Sequence, residues 1–121
     1  MVIDDASAIR MVVKQVLMMN NYKVVEASNG KEALEILNTN KDIDLFVCDY
    51  NMPEMNGMEF LENLKTNDLY RNYRFTPFIM LTTEASEILK AEGKQKGCRA
   101  WLVKPFQPDQ LLDAVKKLLI K

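Results

Sequence analysis

Leu45-Phe46-Val47-Cys48-Asp49-Tyr50-Asn51-Met52-Pro53-Glu54-Met55-Asn56-Gly57 is the stretch whose reading decides the fold. Four consecutive apolar residues, Leu45 to Cys48, stop abruptly at an aspartate, and turn-forming residues follow. A run that is apolar at every position suits a strand covered on both faces, as in a parallel sheet. Parallel neighbours need crossover helices, and the flanking sequence supplies them. Further short apolar runs occur at Val2-Ile3, Val24-Val25, Phe78-Ile79-Met80-Leu81 and Ala100-Trp101-Leu102-Val103. Between them lie stripes at helical spacing: Ile9, Val12, Val13, Val16 and Leu17; Ala33, Leu34, Ile36 and Leu37; Met58, Leu61 and Leu64; and Leu111, Leu112, Val115, Leu118 and Leu119. Ser86 to Lys96 reads as a weaker helix, interrupted by Gly93 and stopped by Gly97. Pro108 suits the first turn of the final helix. The polar segment Asn67 to Thr76 reads as a surface loop.

The pattern is β-α repeated five times. It predicts an α/β fold of three layers: a doubly wound, five-stranded parallel sheet with five helices on its two faces. One domain should span residues 1–121. The first strand is short, which raises the expectation that natural residues precede Met1. The 121 residues are 48% hydrophobic and 27% charged with a net charge of −1, so nothing suggests a nucleic-acid surface. No apolar run is long enough to span a bilayer, and no signal-peptide pattern opens the chain. Cys48 and Cys98 lie in or beside apolar segments and read as reduced thiols. A cytoplasmic protein is expected. The chain has no histidine. That removes Ser-His-Asp and Cys-His chemistry and every histidine metal site. Phosphate handled through histidine would need the histidine of another protein.

Reactive side chains follow the apolar runs. Asp4 and Asp5 follow the first, Asp49 the third, Thr82 the fourth and Lys104 the fifth. Strands of a parallel sheet point the same way, so these residues should meet along its carboxyl edge, where open α/β sheets bind ligands. Each has a plain structural reading: Asp4 or Asp5 as a helix cap beside Ser7, Asp49 as a turn former, Thr82 as a strand residue, Lys104 as a solvated charge. Their joint placement at four strand ends is harder to ascribe to structure alone. Three adjacent carboxylates either raise one another's pKa or bind a cation. Oxygen donors without histidine or thiolate select magnesium or calcium, and few protein ligands with open water positions suit magnesium. A carboxylate beside the metal is a nucleophile for a phosphoryl group, and Lys104 and Thr82 are donors for its oxygens.

Four segments carry a resemblance: Val2-Ile3-Asp4-Asp5, Asp49 to Gly57, Leu81-Thr82-Thr83-Glu84-Ala85 and Val103-Lys104-Pro105-Phe106. Together they resemble the receiver domains of bacterial response regulators, especially single-domain chemotaxis regulators of the CheY kind. The resemblance covers essentially the whole chain. It implies a flavodoxin-like sheet of order 2-1-3-4-5. It also implies a phosphoacceptor role for Asp49 and direct magnesium ligation by Asp5, with Asp4 acting mainly through water. Asn51 would offer a backbone carbonyl to the metal. Thr82 would bond the phosphoryl group, Lys104 would pair with it, and the bond to Pro105 would be cis. Trp101 stands at the position of the family's aromatic switch, Asn51 and Glu84 flank the site as rate-tuning residues, and Gly57 belongs to the loop after Asp49. A sensor histidine kinase would supply the phosphoryl group. A downstream target would bind the face of the fourth helix, fifth strand and fifth helix. A monomer is expected that catalyses only its own phosphorylation and dephosphorylation.

Two departures stand out. Thr83 occupies a position where many receivers carry alanine or glycine, and its bulk should narrow access to Asp49. Trp101 is larger than the usual tyrosine or phenylalanine; a fixed aromatic and a moving switch both remain open. Alternatives to a stand-alone regulator are a receiver excised from a larger response regulator or hybrid kinase, and a small phosphatase with an aspartyl nucleophile. The phosphatase would want an acid/base aspartate where Asn51 stands. A receiver that has lost phosphorylation conflicts with the complete residue set. A flavin carrier would need a hydroxyl- and glycine-rich loop where Asp5-Ala6-Ser7-Ala8 stands.

Overall fold

The computed structural model describes residues 1–40 and 42–119. Strands and helices alternate as β1 Val2–Ile3, α1 Ser7–Met19, β2 Glu26–Ala27, α2 Gly30–Leu37, β3 Phe46–Asp49, α3 Gly57–Thr66, β4 Phe78–Thr82, α4 Glu87–Gln95, β5 Ala100–Val103 and α5 Pro108–Leu118. All strand pairs are parallel, and their order is β2-β1-β3-β4-β5. The order reverses between β1 and β3, which opens a crevice at their carboxyl ends.

The unbroken apolar runs are explained by burial on both faces. Phe46, Cys48, Phe78 and Met80 join one core layer with Phe60, Leu61 and Leu64 of α3. Their strand neighbours Val47, Ile79 and Leu81 join the other with Val13 and Leu17 of α1 and Leu111 and Val115 of α5. Successive side chains alternate between faces, so both layers demand apolar residues. Phe46 meets Phe60 and Tyr73 edge-on, at centroid distances of 5.8 and 5.6 Å. Each such fully buried ring contributes roughly 1.5–3 kcal/mol through the area it removes from water.

Local signals set the helix ends. Asn56 and Glu59 form a capping box at α3, and the side chains of Asn29 and Ser86 accept backbone N–H groups at α2 and α4. Gly97 ends the α4 segment in the left-handed region at φ 106°. Pro108 opens α5.

Four expectations need correction. The second strand is Glu26–Ala27, one step beyond the Val24-Val25 run, because β1 pairs Val2 with Glu26 and Ile3 with Ala27. Neither Asp5 nor Ser7 caps α1; Ser7 is its first residue, and Asp4 Oδ1 accepts from Ala6 N at 2.9 Å just ahead of it. The polar segment after α3 is not simply a surface loop. Asp68–Tyr73 forms a 3₁₀ helix, a sixth helical element, with Tyr70 and Tyr73 buried. Both rings pack against the first core layer, with Tyr70 at a kink in this segment (φ −114°, ψ 20°). Finally, Asp49 and Thr82 are the last residues of β3 and β4 instead of following them.

Candidate functional site

The carboxyl ends of β1, β3, β4 and β5 meet in the crevice. Asp4 follows β1 and is 1% exposed, while Asp5 beside it is exposed. Asp49 ends β3 at 3% exposure, and Thr82 ends β4 fully buried. One carboxylate oxygen each from Asp4, Asp5 and Asp49 lies within 4.8 Å of the others. Lys104, just beyond β5, reaches in from the far side. Its Nζ donates to Asp49 Oδ1 at 2.9 Å and to Asp4 Oδ2 at 3.4 Å.

The electrostatics follow from this packing. Burial is the largest influence on Asp49, and with the negative charge of Asp4 it pushes the carboxyl up to about 6 against the opposing bond from Lys104. Burial pulls the Lys104 ammonium down, but its bond to Asp49 and the charges of Asp4 and Asp49 outweigh that and hold it above the ordinary lysine value. Three carboxylates against one ammonium leave two negative charges in excess. All the donors are hard oxygens, so the arrangement suits a divalent cation of the magnesium or calcium type.

The loops hold these groups in place. Gly57 N donates to Tyr50 O at 2.9 Å, which closes the turn after Asp49. A side chain at Gly57 would put its Cβ 2.6 Å from Asp49 O, so this glycine is required by close backbone approach. Lys104–Pro105 is a cis peptide bond. Two contacts had no signal in the sequence pattern. Arg10 donates from Nη1 to the backbone carbonyl of Asp4, and Cys48 Sγ donates to Asp49 O at 3.3 Å. Both fix backbone beside a carboxylate, and such side-chain-to-backbone pairings follow no residue spacing that could be read beforehand.

The remaining candidates form a second tier. Thr82 Oγ1 accepts from Glu84 N at 2.9 Å and is thus engaged by its own loop. Asn51 is exposed, and its Nδ2 donates to Thr83 Oγ1 at 3.4 Å, so these two side chains span the rim of the site. Trp101 does not reach the crevice. It packs half-buried against the first core layer and donates from Nε1 to Glu84 O at 3.1 Å. Glu84 enters through its backbone, a role its side-chain chemistry did not announce.

A doubly wound parallel sheet with this cluster at its carboxyl edge defines the class: an α/β domain whose candidate site lies at the switch in strand order. The chain belongs to the response regulator receiver domain family, whose model matches residues 1–116. Within the family it is similar to chemotaxis proteins. It is 33% identical over 120 residues to a CheY homolog of Campylobacter jejuni, which covers 98% of this chain and 90% of that one. The CheY4 structure of Vibrio cholerae superposes with a TM-score of 0.87 at 40% identity, covering 98% of this chain and 95% of that one. A longer relative, the transcriptional regulatory protein SrrA of Staphylococcus aureus, is 34% identical over 119 residues; the match spans 98% of this chain and 46% of that protein. Among the described residues, no helix is long and apolar enough to cross a membrane.

Proposed function

We propose that the chain accepts a phosphoryl group on Asp49 from a phosphohistidine of a sensor kinase and passes the change to a target protein. The convergence of Asp4, Asp5 and Asp49 on one another, with Lys104 bonded to the acceptor, carries this reading.

Magnesium fits the donor set, with Asp5, Asp49 and the backbone carbonyl of Asn51 as ligands and Asp4 acting mainly through water. Bound there, the ion supplies charge neutralisation for the carboxylates and for the incoming phosphoryl oxygens. A carboxylate oxygen of Asp49 forms the new bond to phosphorus as the bond from phosphorus to the imidazole nitrogen breaks, and the bonding pair leaves with the imidazole. Lys104 already lies against Asp49 and pairs with a phosphoryl oxygen with little side-chain reordering. The Thr82 hydroxyl, which accepts from Glu84 N, donates its O–H to a phosphoryl oxygen and moves toward it, which loosens the Glu84 bond. Because Glu84 also holds Trp101, that movement is felt at β5 and α4. A target binding the face of α4, β5 and α5 would read the difference. Water returns the aspartate by attack on phosphorus, at a rate set by the rim residues Asn51, Thr83 and Glu84.

The test is direct. Incubation with acetyl phosphate and magnesium should add one phosphoryl group by intact mass. Asp49→Asn, or omission of magnesium, should remove the adduct. Equal labelling of Asp49→Asn would overturn the assignment.

A further inference from the structure

The geometry points to Gly93 as a positioning residue for Trp101: it opens the seat in which the indole rests and so holds α4 and β5 in their resting arrangement. The functional part of this inference rests on the proposed roles of Thr82 and Trp101.

A glycine weakens the middle of a helix, and Gly93 lies inside α4. Backbone conformation does not demand it, because the only glycine with positive φ among the described residues is Gly97. Space does. Gly93 is buried, and a Cβ built there would lie 3.0 Å from Cζ3 and 3.3 Å from Cε3 of Trp101. Favourable carbon–carbon separation is about 3.5–4.0 Å. The Cys98 Cβ lies 3.6 Å away on the same side.

The ring has little freedom to yield. Its Nε1 is bonded to Glu84 O at 3.1 Å, and the Tyr50 ring flanks it at a centroid distance of 6.2 Å. An indole is rigid, so a methyl group at residue 93 displaces the ring as a whole by a few tenths of an ångström and stretches the bond to Glu84. The contacts therefore run without a gap: Thr82 Oγ1 to Glu84 N, Glu84 O to Trp101 Nε1, and the Trp101 ring to the bare backbone of Gly93. The small residue that makes α4 a poor helix in the sequence is the one that lets the helix bear on the indole.

The test uses the single tryptophan as its own reporter, with Gly93→Ala, Trp101→Leu and the double variant. In the Gly93→Ala protein at rest, emission should shift to the red, and peptide hydrogen exchange over Glu84–Gln95 should quicken roughly tenfold. In the unaltered chain, acetyl phosphate with magnesium should change the tryptophan emission; in Gly93→Ala that change should be largely lost, although intact mass still shows the phosphoryl adduct. The methyl should lower Tm when Trp101 is present. In the Trp101→Leu background, the same methyl meets no ring and improves helix propensity, so it should raise Tm. That reversal of sign keeps the test informative even if Gly93→Ala alone folds poorly. Unchanged resting emission with an unchanged donor response, or a Tm increase in both backgrounds, would overturn the inference. If the unaltered chain takes no phosphoryl group, the proposed function fails, while resting emission and the sign reversal still decide the seat.

Discussion

Replacing Asp49 by asparagine should stabilise the metal-free protein, by an amount that depends on pH. Asparagine keeps the shape and a carbonyl acceptor for Lys104 but carries no charge. The Asp49 carboxyl is pushed from its ordinary 3.8 to about 6 in the folded chain, first by burial and then by the charge of Asp4. A carboxyl raised by folding holds its proton more tightly in the native state than in the unfolded one. Its contribution to stability is fully present below about pH 3.8 and is lost as pH rises through about 6. At about 1.36 kcal/mol per pKa unit, the loss approaches 3 kcal/mol at neutral pH. Sharing of charge within the Asp4–Asp49–Lys104 cluster lowers this, so a gain of about 1–3 kcal/mol is expected for the variant. Urea unfolding in the presence of a chelator measures it. The two proteins should have nearly equal stability near pH 4 and diverge between about pH 4 and 6, and the gap should stay constant above about pH 7. Magnesium should then narrow the gap by stabilising the unaltered protein, by about 1.4 kcal/mol when its concentration is tenfold above the dissociation constant. A pH-independent difference, or a less stable Asp49→Asn protein at neutral pH without metal, would refute the electrostatic account.

Thr83→Ala removes a side chain from the rim and its long bond to Asn51, so labelling by acetyl phosphate should become faster; a rate equal to or below that of the unaltered chain would show that Thr83 does not gate access. Gly57→Ala would drive a methyl to 2.6 Å from both Asp49 O and Met80 Sδ, and a loss of at least about 1–3 kcal/mol in urea unfolding is expected, with weakened magnesium binding. Thr82→Ala removes the acceptor for Glu84 N. It should leave phosphorylation measurable by mass while diminishing the donor-dependent tryptophan emission change, and a full emission response would exclude Thr82 from the relay.

The sequence alone determined the class of fold and which strand ends would bring the candidate residues together. Continuous apolar runs at β3 and β4 require cover on both faces, which fixes a parallel sheet with helices above and below. One direction for all strands then places Asp4, Asp49, Thr82 and Lys104 on one edge. These are consequences of periodicity and strand polarity, and periodicity is a local property of the chain. Segment 67–76 departs from its sequence pattern for the same reason. Its polar composition suggested a loop, while the burial of Tyr70 and Tyr73 depends on core residues distant in sequence.

What the tertiary structure decided are relations between residues far apart. Lys104 meets both Asp49 and Asp4 across 55 and 100 positions of sequence, and burial there lifts the Asp49 carboxyl to about 6. Gly93 reads in the sequence as a defect in α4 and becomes the seat of Trp101 only when the two are packed together. Arg10 on the Asp4 carbonyl and Glu84 between Thr82 and Trp101 belong to the same kind. The reason is physical: periodicity records which face of an element is buried, but contact distance, desolvation and charge pairing are set by what lies opposite, and that partner exists only once the sheet and its helices are assembled.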